Sequence, residues 1–266
     1  MKRKDLQSTL ELTYHTLCAS VSHHEKNNQK NKYMVIVLPN RDCLVYHWLY
    51  RRSNHMKVKD IEKEIGTLSN PSKMPSYAWG IPIEYCNTGS KLAEIDGTIC
   101  KKCYAGKGCY VFPVVKAMYE KRYQAIERIE WVDYMAELIT QKYKKLDKSR
   151  LFHRWFDSGD VQSYSHLMKI FEVCELTPHI KHWLATKEYK IIDKIDEKDV
   201  PKNLCLRVSA TKIDGAIPKF WKWTSGVHRD KKPIGRECPA YKQDGECGSC
   251  RACWNRNIKQ VSYKEH

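Results

Sequence analysis

Cysteine is the residue type whose number and spacing in this sequence point most directly to chemistry. Eight of the 12 cysteines in the 266-residue chain fall into two groups. Clustered thiolates bind zinc or iron–sulfur clusters, and no secretory signal is evident that would favour disulfides. We therefore interpret both groups as metal sites. The isolated cysteines are predicted to be ordinary buried thiols: Cys18, Cys43, Cys174 and Cys205.

The C-terminal group has the spacing C-x8-C-x2-C-x2-C. Its members are Cys238, Cys247, Cys250 and Cys253. Zinc sites usually use two separated C-x2-C pairs, whereas three cysteines at successive spacings of two suit a four-iron cube, whose irons present ligand positions in different directions. We favour a 4Fe–4S cluster here and keep zinc as the alternative. With all four irons ligated by the chain, this cluster would be structural or would transfer electrons.

The N-terminal group has the spacing C-x13-C-x2-C, formed by Cys86, Cys100 and Cys103, and Cys109 follows. Three thiolates on a four-iron cube leave one iron open, and an open position separates a catalytic metal site from a closed one. A fourth ligand from Cys109 would close the site. Four-coordinate zinc is the rival interpretation. We take the first three cysteines as ligands and leave Cys109 undecided.

Polar residues follow three short apolar runs that alternate with helical patterns. Residues 151–156 end at Asp157-Ser158-Gly159-Asp160, residues 180–185 end at Thr186-Lys187, and residues 204–209 end at Ser209. Alternating strands and helices at these spacings predict βα units with parallel strands, whose chemistry lies where the strands end. The sequence thus predicts that one edge of the sheet carries Cys103, Asp160, Lys187 and Ser209.

The helices that connect these strands are also predicted from spacing. A long apolar stripe predicts one helix from just after Cys109 to about Lys145, and Pro113 suits its first turn. Ser163 is a candidate cap for a helix that stops at Pro178. A short helix is expected near residues 188–196.

These elements predict an α/β protein built on a partial (β/α) barrel. Residues 1–65 form an N-terminal extension with a helix and a short hairpin. Residues 66–210 form the partial barrel with the first metal-cluster loop. Residues 211–266 form a small cysteine-rich cap with the second metal site.

The charge of the chain indicates the chemistry of its partners. Lys and Arg exceed Asp and Glu by 47 to 31, a net charge of +16, without a long basic run. A basic surface favours a nucleic acid or another anionic partner, although a solvated basic surface is the simpler interpretation. No stretch approaches the roughly 20 apolar residues of a membrane span. We expect a cytoplasmic protein with no membrane partner, and nothing in the sequence predicts its oligomeric state.

Two motifs carry a resemblance to known families. Cys100-Lys101-Lys102-Cys103-Tyr104-Ala105 resembles the cluster motif of radical-SAM-like phage proteins with a CxxCYA signature. Residues 66–255, with Cys238-Pro239-Ala240 and Cys250-Arg251-Ala252-Cys253-Trp254, resemble the phage "gene product eighty-eight" family. Two departures stand out: the first cysteine interval is far longer than the usual C-x3-C-x2-C, and a lysine rather than an aromatic residue precedes the last cysteine.

The resemblance implies a radical-SAM-like barrel and a set of site residues. It implies that Cys86, Cys100 and Cys103 ligate a 4Fe–4S cluster. It also implies that S-adenosylmethionine (SAM) is the cofactor, with its amino group near Ser158, Gly159 and Asp160. Lys187 or Arg207 would then meet the SAM carboxylate or an anionic substrate.

Three functions follow as expectations. The first is a radical-SAM-like iron–sulfur enzyme of phage origin, acting in the cytoplasm of the infected cell with a reductant and an anionic substrate such as a nucleic acid. The second is a non-catalytic iron–sulfur or zinc protein that binds nucleic acid or a host protein. The third is an electron-transfer partner. Ligation by Cys109 would leave no open iron at the first site and would favour the second hypothesis.

Overall fold

A computed structural model describes residues 56–265, which form one compact unit. Six α-helices are present in that range: α1 (Val58–Ile65), α2 (Asn87–Ala93), α3 (Pro113–Ala125), α4 (Trp131–Tyr143), α5 (Tyr164–Leu176) and α6 (Tyr189–Ile192). Seven strands accompany them: β1 (Ala78–Trp79), β2 (Phe152–Trp155), β3 (Lys181–Thr186), β4 (Leu204–Ile213), β5 (Thr224–His228), β6 (Arg236–Glu237) and β7 (Gln260–Lys264). No helix within residues 56–265 is long and apolar enough to cross a membrane.

The seven strands form one sheet in the order β1-β2-β3-β4-β5-β7-β6, and every neighbouring pair is parallel. The fold is therefore α/β with a parallel seven-stranded sheet, which is consistent with a partial barrel. Because all strands run the same way, their carboxyl ends meet at one edge, as the sequence predicted.

The central βα units follow the prediction closely. Strands β2, β3 and β4 start within one residue of the predicted runs. The Ser163 side chain accepts a hydrogen bond from the backbone N–H of His166, so Ser163 is the cap of α5. Helix α6 lies within the short helix expected near residues 188–196. Alternation of apolar runs and capped helices was sufficient to predict this part of the fold.

The single long helix predicted after Cys109 is wrong, because the structure has α3 and α4 with a break at residues 126–130. No glycine or proline marks the break. Tertiary contacts hold it instead: the Lys169 ammonium donates to the carbonyls of Ile126, at 2.6 Å, and Arg128, at 3.4 Å. Trp131 then packs edge-on against Trp79 in the core. The break thus depends on packing partners distant in sequence.

The sheet extends past residue 210, where the sequence predicted only a cap around the second cysteine group. Strand β5 pairs with β4 and with β7, and β7 carries β6 at the far edge. These strands are short and separated by Gly- and Pro-containing loops. Their hydrophobic pattern is therefore too brief to indicate a strand by itself.

The two faces of the sheet are covered differently. The main core on one face includes Trp155 and Leu184 of the sheet together with helix residues. On the other face, Trp183 packs with Trp254 and Cys253 of the C-terminal segment, residues 238–258. That segment, which contains the second cysteine group, therefore fills a face of the sheet.

Helix α1 belongs to the main core through Ile61 and Ile65, both fully buried. It packs against α3 and α4. The rest of the predicted N-terminal extension, a helix in residues 1–31 and a hairpin in residues 34–50, lies outside the described residues. Cys18 and Cys43 lie outside them too, whereas Cys174 and Cys205 are fully buried, as predicted.

Candidate functional site

Cys86 lies between a one-turn 3-10 helix, Ile83–Tyr85, and the start of α2. Gly89 in α2 lies beside the thiol, and a Cβ atom built on it would lie 3.5 Å from Cys86 Sγ and 3.7 Å from Cys100 Sγ. That Cβ would also lie 2.9 Å from Cys86 Cβ, which is too close. Glycine thus keeps open the space shared by the two thiols.

Cys100 lies in a second 3-10 turn, Ile99–Lys102, which is fixed to the end of β4. The fully buried Thr98 caps this turn by accepting a hydrogen bond from the Lys101 N–H. The Ile213 N–H donates to the Gly97 carbonyl at 2.9 Å. The loop that carries Cys100 and Cys103 is therefore tied to the carboxyl edge of the sheet, where the sequence predicted it.

The thiols of this group are close enough to affect one another electrostatically. Burial raises the pKa of Cys86, and Asp160, Cys103 and Cys100 raise it further, while Lys187 opposes the rise. Burial also raises the pKa of Cys100, and Lys187 again opposes the rise. The structure thus brings together Cys86, Cys100 and Cys103 with Asp160 and Lys187.

Cys109 stands apart from this group. Its side chain is exposed, in the 3-10 helix Gly108–Val111 ahead of α3. It is not among the groups that shift the pKa of Cys86 or Cys100 within the described part of the chain. The geometry therefore separates three of the four cysteines in the loop from the fourth.

The turn after β2 is held by its own backbone contacts. Asp160 is buried, and its carboxylate accepts hydrogen bonds from the N–H groups of Val161, at 2.7 Å, and Lys187, at 2.9 Å. Burial raises the pKa of Asp160 to about 6. Asp160 therefore joins the end of β2 to the end of β3. It does not cap α5, a role that belongs to Ser163.

Ser158 and Gly159 contact the chain segment after β1. The Ser158 carbonyl accepts a hydrogen bond from the Ile81 N–H at 3.0 Å. Gly159 has a φ of +79°, and a Cβ built there would lie 2.3 Å from Ile81 Cγ1. Glycine is thus required at position 159 because Ile81 packs closely against its backbone.

Glu188, which the sequence interpretation passed over, fixes the Cys86 segment. It is buried, and its two carboxylate oxygens accept hydrogen bonds from the N–H and the hydroxyl of Thr88, each at 2.8 Å. Thr88 lies in the first turn of α2, two residues after Cys86. A glutamate next to the predicted Lys187 was the available signal, but nothing in the sequence indicated a partner 100 residues away.

The second group lies on the face of the sheet covered by the C-terminal segment. Cys238 follows β6, and Cys253 is buried in the 3-10 helix Ala252–Trp254. Cys253 Sγ lies 3.2 Å from the Tyr263 hydroxyl. Burial raises the pKa of Cys253 to about 12. Burial and Cys238 raise the pKa of Cys247, and nearby arginines oppose the rise.

Arg207 anchors the second group to the sheet. The side chain is fully buried in β4 and donates to six backbone carbonyls, at 2.9 to 3.3 Å. These carbonyls belong to Thr224, Ala252, Cys253, Asn255, Ile258 and Lys259. The guanidinium is thus fully used in positioning the C-terminal segment, contrary to the expectation that it meets a SAM carboxylate or an anionic substrate.

A cation lies between the two cysteine groups. Arg154 Nη2 donates to the hydroxyl of Tyr104, which directly follows Cys103, at 2.6 Å. The same guanidinium opposes the rise in the pKa of Cys247 in the second group. Its Nε is buried without a hydrogen-bond partner, and no carboxylate within residues 56–265 forms an ion pair with it. Arg154 is therefore a cation between two sets of thiols that forms no direct ion pair in the described part of the chain, although, against the effect of burial, the nearby Asp157 carboxylate raises its pKa.

The side chains of the two cysteine groups are not arranged around a single metal ion in the part of the chain that the structure describes. The cysteines at residues 56–265 are all free thiols. Within that range no three His, Cys, Asp or Glu side chains are arranged to hold one metal ion. An iron–sulfur cube takes each thiolate on a different iron, so its ligands need not converge on one point. The chemistry of these groups therefore fits such a cluster, because the thiols are free and nearby cations oppose the rise in their pKa.

Comparison with known proteins gave one match. No curated protein and no solved structure matched the chain. A family model described as "Gene product 88" matches residues 48–256, which is more than half of the chain and includes both cysteine groups. The chain therefore belongs to the Gene product 88 family.

Proposed function

We propose that this protein is an iron–sulfur protein with radical-SAM-like chemistry at its first cysteine group. Cys86, Cys100 and Cys103 would hold a 4Fe–4S cluster with one open iron, and Cys238, Cys247, Cys250 and Cys253 would hold a second cluster. The observation that carries the proposal is the separation of exposed Cys109 from the three thiols that share the carboxyl edge with Asp160 and Lys187.

The position of the first group supports this proposal. In parallel βα folds, chemistry is built at the carboxyl ends of the strands. The loop that carries Cys100 is tied to the end of β4, and Cys86 is tied through Thr88 and Glu188 to the end of β3. Two strand ends thus orient the thiols without using their sulfur atoms.

Cations next to both groups favour the thiolate form that binds iron. Lys187 opposes the raised pKa of Cys86 and Cys100. Arg207 does the same for Cys253.

With SAM bound, a cluster of this type supplies reductive cleavage of SAM and hydrogen abstraction from a substrate, for which the protein needs an external reductant. In this proposal Ser158, Gly159 and Asp160 form the turn near the SAM amino group, and Lys187 lies near its carboxylate. A nucleic acid or another anionic molecule is the substrate.

A second candidate is an iron–sulfur protein that transfers electrons or binds a partner without catalysis. The cavity beside Ser158, which is also lined by Tyr110 and Tyr119, holds only about 100 Å³. Ligand pockets are typically about 300 to 1,000 Å³. Arg154 also contacts Tyr104 beside the first cysteine group and acts electrostatically on Cys247 of the second. Zinc at the C-terminal group is the remaining alternative.

The test is anaerobic purification followed by iron, sulfide and zinc analysis of matched variants. We expect about eight irons in the wild type, since each cube contains four. Cys103→Ala and Cys250→Ala should each lose about four irons, whereas Cys109→Ala should keep all of them. Zinc in both groups, or loss of iron in Cys109→Ala equal to that in Cys103→Ala, would contradict the proposed ligand set.

SAM titration of the reduced protein, followed by electron paramagnetic resonance, separates the two candidates. A change in the spectrum that persists in Cys250→Ala and is absent in Cys103→Ala would support SAM binding at the first cluster. Full iron content with a spectrum that SAM leaves unchanged would reject the radical-SAM part and favour the second candidate.

A further inference from the structure

A large basic groove lies between the amino edge of the sheet and the C-terminal segment. Its volume is about 810 Å³. Phe152 and Lys181 mark the starts of β2 and β3 on one wall, and Asn203 directly precedes β4. The first cysteine group is at the opposite, carboxyl edge. The groove is therefore separate from the first cysteine group, although Cys250 of the second group is among its lining residues.

All of the charged side chains that line the groove are positive. Five cationic side chains line it, and the lining includes no aspartate or glutamate. Two of them belong to the C-terminal segment and three to other parts of the chain: Arg251 and Arg256, and Lys181, Lys202 and Arg236. Cations that converge without acidic residues repel one another unless an anion lies between them. The lining therefore favours a negatively charged ligand.

Three of these cations are available to a ligand. Lys181, Lys202 and Arg236 are exposed, and none of them forms an ion pair or a side-chain hydrogen bond within residues 56–265. The other two, Arg251 and Arg256, donate to backbone carbonyls, which leaves their positive charge unneutralised. The five side chains thus provide a fixed positive wall and three free donors.

The polar lining favours a phosphate backbone over a single small anion. Amide side chains accompany the cations at Asn255 and Asn257, whereas the amides of Asn203 and Gln243 donate to backbone carbonyls. Proteins bind nucleic-acid phosphates and sugars through Lys and Arg together with Asn, Gln and backbone donors. Several cations spread along a groove also match the repeated charge of such a chain better than they match one carboxylate.

We infer that this groove binds the phosphate backbone of a nucleic acid, without sequence specificity, at the edge of the sheet away from the first cysteine group. Direct contacts come from Lys181, Lys202 and Arg236. The inference depends on the charge of the groove and does not require either cysteine group to carry iron. It would give the protein a nucleic-acid-binding function whether or not it is an enzyme.

The test uses the full chain and a short fluorescent single-stranded oligonucleotide of mixed sequence, titrated at several salt concentrations by fluorescence anisotropy. The triple variant Lys181→Gln/Lys202→Gln/Arg236→Gln removes the three free cations. We expect it to bind about tenfold more weakly or worse, with a salt slope smaller by about two, because each lost phosphate contact lowers the slope by about 0.7.

The matched control is Lys59→Gln/Lys121→Gln/Lys194→Gln, which removes the same net charge from exposed lysines outside the groove. Wild-type binding by the control and weak binding by the groove variant would support the inference. Equal losses in both variants, or equally tight binding of polyglutamate by the wild type, would overturn it. Iron content and thermal unfolding of each variant show separately whether the second cysteine group is intact.

Discussion

At the scale of residues, the turn Asp157-Ser158-Gly159-Asp160 has a structural role in addition to the SAM contact proposed for it. Asp160 binds two backbone N–H groups, and Gly159 makes room for Ile81. These contacts hold together the ends of β1, β2 and β3 at the edge where the first cysteine group lies. The residues that define the motif are therefore the ones that fix the geometry of the edge.

Gly159→Ala tests the close approach at this turn. We expect it to lower the free energy of unfolding by about 2 to 4 kcal/mol, because left-handed φ strain adds to overlap with Ile81. Gly97→Ala is the matched control, since Gly97 has a φ of +75° but nothing within 4 Å of the added Cβ. It should cost about 1 kcal/mol. Urea unfolding measures both, and equal losses would show that the contact with Ile81 is unimportant.

At the scale of elements, one buried side chain, Arg207, makes several of the hydrogen bonds that hold the C-terminal segment to the sheet. Six carbonyls, from Thr224 and from residues 252–259, converge on Arg207, whereas the apolar cluster beneath the segment is small. A buried carbonyl that loses its donor costs about 1 to 3 kcal/mol. Arg207 therefore determines whether the segment that carries the second cysteine group keeps its shape.

Arg207→Met should destabilise this segment more than it destabilises any other part of the chain. We expect hydrogen exchange at residues 252–258 to accelerate strongly, because their carbonyls lose a shared donor. Arg122→Met is the control: Arg122 is equally buried but donates to Thr67, Ser69 and Gly80. Its loss should accelerate exchange around residues 67–80 instead. Unchanged exchange at residues 252–258 in Arg207→Met would contradict the anchoring role.

The sequence allowed the central βα units to be predicted, whereas it left the role of Cys109 in the first cysteine loop undecided. The alternation of apolar runs sets the strands, and the Ser163 cap is a local contact. The break between α3 and α4 and the later strands were not predicted, since both depend on distant partners such as Lys169 and β7. Arg207 looked like a ligand-binding cation because the sequence does not show which carbonyls will surround it.

At the scale of the whole molecule, the buried histidines make the fold sensitive to acid. His153, His166 and His182 lie in the core, and burial lowers the pKa of each, to about 3 for His166 and His182. Their unfolded pKa is 6.5. Between pH 3 and 6.5 the unfolded chain therefore binds more protons than the native one, so stability falls as the pH falls through this range. Asp160 acts in the opposite direction, because its native pKa is raised to about 6.

The histidines should outweigh Asp160. Each buried histidine contributes up to about 1.4 kcal/mol per pH unit, and Asp160 opposes with at most the same slope over part of the range. We expect the free energy of unfolding, measured with urea at a series of pH values, to decrease from pH 6 to pH 4. His166→Leu should reduce this slope by about 1.4 kcal/mol per pH unit, whatever its effect on stability at pH 7. The exposed His179 provides the control. If His179→Gln flattened the slope as much as His166→Leu, the acid sensitivity would arise from general charge repulsion and not from the buried imidazoles.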